Sequence, residues 1–171
     1  IQALVVGAGA IGNEVLKNLA LLGVRKLSIV DLDRIEIHNL TRSVLFREGD
    51  VGLSKAGVAA MRVGELLPEA TVTVIEGPLE TTLRPSMIAK YDVVFSCLDN
   101  FEARLSLNEM CLLAGVNVVS GMVGKLLHDA EDGVRRGGRE DDKAIEHEIA
   151  PRQNSPEMRL CFGLIHARER G

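Results

Sequence analysis

The sequence predicts an α/β protein of the Rossmann-like type, with a doubly wound, mainly parallel sheet and helices on both faces. Short apolar runs alternate with stretches of helical period. The first run is followed by Gly7-Ala-Gly-Ala-Ile-Gly12. The β-α-β unit opened there has about the 30-residue length of a single parallel crossover.

The elements follow in order. Leu4 to Val6 is an apolar run stopped by Gly7, a first strand. Ile11, Val15, Leu19 and Leu22 recur at helical spacing, and Gly23 is a suitable C-terminal stop. Leu27 to Val30 is a second buried strand. Ala59, Val63, Leu66 and Leu67 mark the inner face of a second helix, capped by Ser54 and ended before Pro68. The β-branched stretch Thr71 to Ile75 is a strand, and Val93 to Cys97 is the next. Asn100 caps a helix whose Ala103, Leu107, Met110, Cys111 and Ala114 share a face, and Val116 to Ser120 closes the set. From Lys125 the pattern changes. Residues 128–156 are dense in charge of both signs and include Gly133, Gly137 and Gly138, as in a mobile loop. The whole chain, 1–171, reads as a single domain without internal repeat.

Composition excludes several classes. Twenty Lys and Arg against twenty-four Asp and Glu leave a net charge of −4, with a pI near 5.6. Nucleic-acid binding domains usually carry a basic excess, so no nucleic-acid partner is expected. Aromatic residues make up only 3% and Trp is missing, which leaves little for base-stacking platforms. The longest apolar stretch, Leu19 to Val24, falls far short of the roughly 20 residues that span a bilayer. No membrane partner is expected, and the chain reads as cytoplasmic. Cys97, Cys111 and Cys161 are odd in number and lack CxxC spacing, which argues against disulfides and against a zinc site made of cysteines alone. The chain opens on an apolar run and closes on Ala167 to Gly171 without a final element, so segments beyond both ends are expected.

Gly7, Gly9 and Gly12 form GxGxxG directly after a strand and at a helix start, the context in which the motif has physical meaning. Gly7 permits the tight turn, Gly9 lets backbone approach phosphate, and Gly12 allows close helix–strand packing. The free N–H groups at the helix start then face an anion. Asp31, at the end of the second strand, can accept hydrogen bonds from a ribose hydroxyl pair. Those features alone suit an NAD(P)-dependent oxidoreductase equally well.

The residues that discriminate come next. Asp31, Asp33, Asn39 and Arg42 lie just past the strand end, where a dehydrogenase would begin another crossover; Lys55 lies in the first turn of the next helix, and Asp99 just beyond a later strand. Taken singly, Asn39 can be a turn cap, Arg42 and Lys55 solvated charges, and Asp99 with Asn100 a helix cap. Together at strand ends they suit phosphate chemistry with Mg²⁺ better than hydride transfer, since Arg42 and Lys55 can bind anions and Asp99 can bind the metal.

This ordered set resembles the ubiquitin-activating-enzyme-like adenylyltransferases of the ThiF/MoeB/HesA superfamily. The likeness runs through Gly7 to Gly12, Asp31-Leu-Asp33, Asn39-Leu-Thr-Arg42, Gly52-Leu-Ser-Lys55 and Ser96-Cys-Leu-Asp99-Asn100-Phe-Glu-Ala-Arg104, within residues 1–124. The resemblance implies attack of a carboxylate on the α-phosphorus of ATP, giving an acyl-adenylate and pyrophosphate. The carboxylate would belong to the C-terminal glycine of a ubiquitin-like or sulfur-carrier protein, or to a small molecule. Asp31 would bind the ribose, Asn39, Arg42 and Lys55 the phosphates, and Asp99 the Mg²⁺. A homodimer is implied as well. Many members carry paired CxxC zinc motifs, whereas Cys161 stands alone, so zinc is not expected and Cys161 is the only open candidate for a thioester nucleophile. Members also often bring an N-terminal helix whose arginine reaches a partner's ATP site; this sequence starts at Ile1, after the place where such a helix would lie. A non-catalytic scaffold subunit is the other alternative; the residues such subunits tend to lose are all present.

Overall fold

The computed structural model describes residues 1–120. Five strands form one sheet: β1 (Gln2–Val6), β2 (Lys26–Asp31), β3 (Thr71–Glu76), β4 (Val93–Ser96) and β5 (Val118–Ser120). Their spatial order is β3-β2-β1-β4-β5, and every pairing is parallel. Five helices accompany them: α1 (Ala10–Leu21), α2 (Lys55–Leu66), the single turns α3 (Leu79–Thr82) and α4 (Pro85–Ile88), and α5 (Phe101–Ala114). The order reverses between β1 and β4, which opens a crevice outside their carboxyl ends, the place where doubly wound sheets bind ligands.

Strand periodicity sorts the core into two layers. Along β1, Ala3 and Val5 join Leu16, Leu27, Ile29, Ala59 and Val63 in one cluster beneath α1 and α2. Leu4 and Val6 point the other way, joining Val30, Ile88, Val94, Leu107 and Cys111 beneath α3, α4 and α5. A central strand covered on both faces must be apolar throughout, which is why β1 is a continuous run and not an alternation. The edge strand β3 carries exposed residues at four of its six positions.

The helix faces differ in part from their expected register. In α1, Leu19 is buried and Val15 packs against the core, but Ile11 is 39% and Leu22 78% exposed, while Leu16 is fully buried. Gly12 sets this rotation. A Cβ there would collide with the Gly7 carbonyl oxygen, so this side of the helix lies flush against the turn and brings positions 12, 13, 16, 19 and 20 inward. Gly23 ends the helix as expected, with positive φ, its N–H donating to the Ala20 carbonyl. In α2, Ala59 and Val63 are buried and Leu67 packs on the core, but Leu66 is exposed. Ser54 caps this helix by accepting from the Gly57 N–H. Asn100 caps α5, its Oδ1 accepting from the N–H groups of Glu102 and Ala103.

Candidate active site

The turn from β1 into α1 is built around two glycines that no other residue can replace without displacing backbone. Gly7 has φ +95°, and a Cβ there would lie 2.7 Å from the Cys97 carbonyl oxygen. Gly12 faces Gly7 as described. Gly9 differs: a Cβ on it would meet nothing within 4 Å, so the loop leaves open space on the side where a ligand would approach. Gly9 is also the N-cap of α1, without a side-chain cap and without an acidic residue in the first turn. The amides there stay free and keep the positive end of the helix dipole uncompensated. This geometry fits a phosphate group.

Asn13 holds the loop shut from behind. It is fully buried; its Nδ2 donates to the carbonyls of Ala8 and Gly9, and its Oδ1 accepts from the Leu45 N–H at 2.9 Å. Sequence reasoning missed this residue. The available signal was a polar side chain on the packed face of a helix, which has to find partners.

Asp31 closes the other side. One carboxylate oxygen accepts from the Ala8 N–H of the glycine loop at 2.6 Å and the other from the Asp33 N–H at 2.8 Å. Burial pushes this carboxyl above its ordinary value, against the pull of those two amides and of the nearby Lys55 ammonium. Beyond it, Asp33 Oδ2 accepts from Lys55 Nζ at 2.8 Å. The two chain segments are zipped together. The Lys55 N–H donates to the Asp33 carbonyl, Ile35 and Leu53 pair through the Ile35 N–H, and the Gly52 N–H returns to Ile35. An isolated antiparallel bridge joins Arg34 and Ser54. The first residue of α2 is thereby fixed at the end of β2.

The structure therefore brings Asp31, Asp33, Lys55 and the glycine loop into one hydrogen-bonded group. Asn39 and Arg42 lie on the following turn. Asn39 is buried, and its Oδ1 accepts from the Glu36 N–H as a cap of the 3₁₀ turn Ile37–Asn39. The turn-cap reading of this residue is thus correct for its Oδ1. Arg42 is exposed, with a long 3.5 Å contact to the His38 carbonyl. Asp99 is exposed just past β4, where Cys97 stays tied to β1 through its N–H to the Val6 carbonyl.

No group of three or more His, Cys, Asp or Glu side chains that could cage a metal occurs among the described residues. A lone carboxylate such as Asp99 suits Mg²⁺, which is usually held by one or two carboxylates and the phosphates of a nucleotide. Cys97 and Cys111 are buried, and burial pushes both thiols up to about 11, so neither is poised as a nucleophile. Cys161 and the charged stretch 128–156 lie outside the described residues. Among the described residues, no helix is long and apolar enough to cross a membrane.

The ThiF family matches residues 1–127. The chain belongs to the ThiF family. A ThiF-family relative, SUMO-activating enzyme subunit 2 of Dictyostelium discoideum, is 42% identical over 127 residues, covering 73% of this chain and 19% of the relative. The SAMP-activating enzyme E1 of Haloferax volcanii is 37% identical over 124 residues, covering 72% of this chain and 46% of the relative. A probable molybdopterin-synthase adenylyltransferase of Porphyra purpurea is 38% identical over 109 residues, covering 64% and 28%. Among solved structures, E. coli tRNA N6-threonylcarbamoyladenosine dehydratase, TcdA, in complex with ATP, superposes with a TM-score of 0.62 at 27% identity, over 70% of this chain and 49% of that one. The chain thus spans less than half the length of these ThiF-family relatives.

Proposed function

We propose that this chain is the nucleotide-binding part of an ATP-dependent adenylyltransferase that activates a carboxylate. The observation that carries the reading is the group formed by Asp31, Asp33, Lys55 and the open glycine loop. Where a dehydrogenase would start a second crossover, this chain folds a 22-residue excursion back on itself and delivers a lysine to the same strand ends. The names of its relatives, and the ATP complex of TcdA, support the same reading.

In this mechanism the free amides after Gly9 receive phosphate, and the Asp31 lone pairs left over from its two backbone bonds receive the ribose hydroxyls. Lys55, Arg42 and the Asn39 amide neutralise and orient the phosphates. Asp99 would hold Mg²⁺, which supplies charge neutralisation at the phosphate oxygens. The attacking carboxylate is already ionised at neutral pH, so no general base is required. Its oxygen bonds to the α-phosphorus as the bond to the pyrophosphate oxygen breaks, and catalysis is positioning and charge stabilisation.

The finer reading is that the carboxylate is the C-terminal glycine of a ubiquitin-like or sulfur-carrier protein, and that the enzyme works as a cytoplasmic homodimer. The named activities of the SUMO-, SAMP- and molybdopterin-linked relatives support the protein substrate over a small molecule. Capture of the physiological carboxylate partner in the presence of ATP, identified by mass, followed by ATP–pyrophosphate exchange with that partner, tests the reading. Exchange is expected only with the partner present; capture without any exchange would favour a non-catalytic subunit.

A further inference from the structure

Two buried side-chain atoms among the described residues have no hydrogen-bond partner: Ser96 Oγ and Arg104 Nε. They flank the segment that carries Asp99. Ser96 is the last residue of β4 and pairs in register with Ser120 of β5. Arg104 lies one turn into α5, its N–H donating to the Asn100 carbonyl, and only 9% of it is exposed.

The Arg104 guanidinium is thus a buried cation with little to compensate it. Its Nη1 donates to the neutral Ser120 hydroxyl at 2.8 Å, and its Nε has no acceptor. Among the described residues it forms no ion pair. Burial lowers its proton affinity, and the negative charge of Asp99 works against that. A charge held this way is costly unless something nearby uses it. A purely structural tether from α5 to β5 needs only a hydroxyl or an amide at this position.

The strand ends explain the use. They collect three carboxylates, Asp31, Asp33 and Asp99, at a place meant for anions. Lys55 is ion-paired with Asp33. Among the described residues Asp99 forms no ion pair, and the cation on the helix that follows it is Arg104, tied to the end of β5 through Ser120.

We infer that Arg104 is a positioning residue for the anionic reactants, a buried cation that offsets the charge of Asp99 at the end of β4 so that a polyphosphate and a carboxylate can be held there together. This rests on the nucleotide site proposed above. It assigns Arg104 a role through its charge and not through contact with the reactants.

The test is titration of the full chain with ATP in excess chelator, so that no Mg²⁺ takes part, by calorimetry. Arg104→Met should weaken ATP binding by about tenfold, the scale of one unit charge lost near an anion in a partly screened site. Asp99→Asn should leave the affinity unchanged or tighten it, and the double variant should return towards wild type. Arg104→Lys, which keeps the charge, and Ser120→Ala, which removes only the tether, should each stay within about twofold of wild type. Unchanged binding in Arg104→Met, or a loss in Arg104→Lys or Ser120→Ala as large as expected for Arg104→Met, would overturn the inference. If Arg104→Met does not fold, Arg104→Gln, which removes the charge but keeps a hydrogen-bonding side chain, takes its place: it should weaken ATP binding to the same extent, and unchanged binding in it would overturn the inference. A wild-type chain that binds no ATP would instead remove the proposed function.

Discussion

Lys55 Nζ stands 2.8 Å from Asp33 Oδ2, an ion pair in which the lysine side chain is 13% exposed and the aspartate 55%. The pair joins the first residue of a helix to the end of a strand across 22 residues of chain. Its position is set mainly by backbone, through the Lys55 N–H to the Asp33 carbonyl and the pairing of Ile35 with Leu53.

Lys55→Ala should therefore separate binding from stability. A half-exposed ion pair contributes at most about 1 kcal/mol, so the urea midpoint is expected to change little. ATP affinity should fall by on the order of tenfold or more, since a charge-assisted hydrogen bond to phosphate is worth about 1.5–3 kcal/mol. Unfolding and calorimetric titration of the same variant check both halves. A collapse in stability with ATP affinity retained would mean that Lys55 serves the fold.

Gly12→Ala should act in the opposite sense. The added methyl meets the Gly7 carbonyl oxygen, which is backbone and cannot rotate away. Overpacking of this kind costs about 1–3 kcal/mol or more, and the same shift disturbs the loop that Gly9 leaves open. A lowered thermal midpoint together with weaker ATP binding is expected. Gly9→Ala has room for its methyl and should keep the midpoint, so equal destabilisation of the two variants would contradict this division of roles.

The five strands, the parallel class of the sheet and the capping residues Ser54 and Asn100 were legible because each depends on local pattern: apolar runs, helical period, and a side chain that can reach an N–H; the spatial order of the strands was not. The α1 face was misjudged at Ile11 and Leu22 because its rotation depends on the contact of Gly12 with Gly7, which hydrophobic periodicity does not register. The turns α3 and α4 had no sequence reading. At four residues each, started by Pro78 and Pro85, they are too short to display a period. At the site, residue types and order pointed to a common place for Asp31, Asp33 and Lys55, but their hydrogen-bond partners did not follow. Asn13 escaped notice, and Arg104 entered only as the last residue of a matching motif without a role, because a buried polar role becomes visible only once the burial is known.

Asp31 should leave a signature in pH. Its folded carboxyl is raised above its ordinary 3.8 by burial, so the folded state holds the proton more tightly than the unfolded chain. The stability from this proton is therefore complete below about 3.8 and is lost as pH rises through the higher folded value. The stability of wild type relative to Asp31→Asn should decline over that window, as read from urea midpoints taken across acidic pH. A relative stability that rises with pH there would mean that the amides of Ala8 and Asp33 outweigh burial.

The central claim is that these strand ends are built for a nucleoside triphosphate with Mg²⁺ and not for a nicotinamide dinucleotide. Calorimetric titration of the full chain with Mg²⁺ and ATP, and in parallel with NADH, tests this most directly. Saturable binding of ATP, weakened in Lys55→Ala and Asp99→Ala, with no useful affinity for NADH, is the result expected. Tight binding of NADH with none for ATP would contradict it.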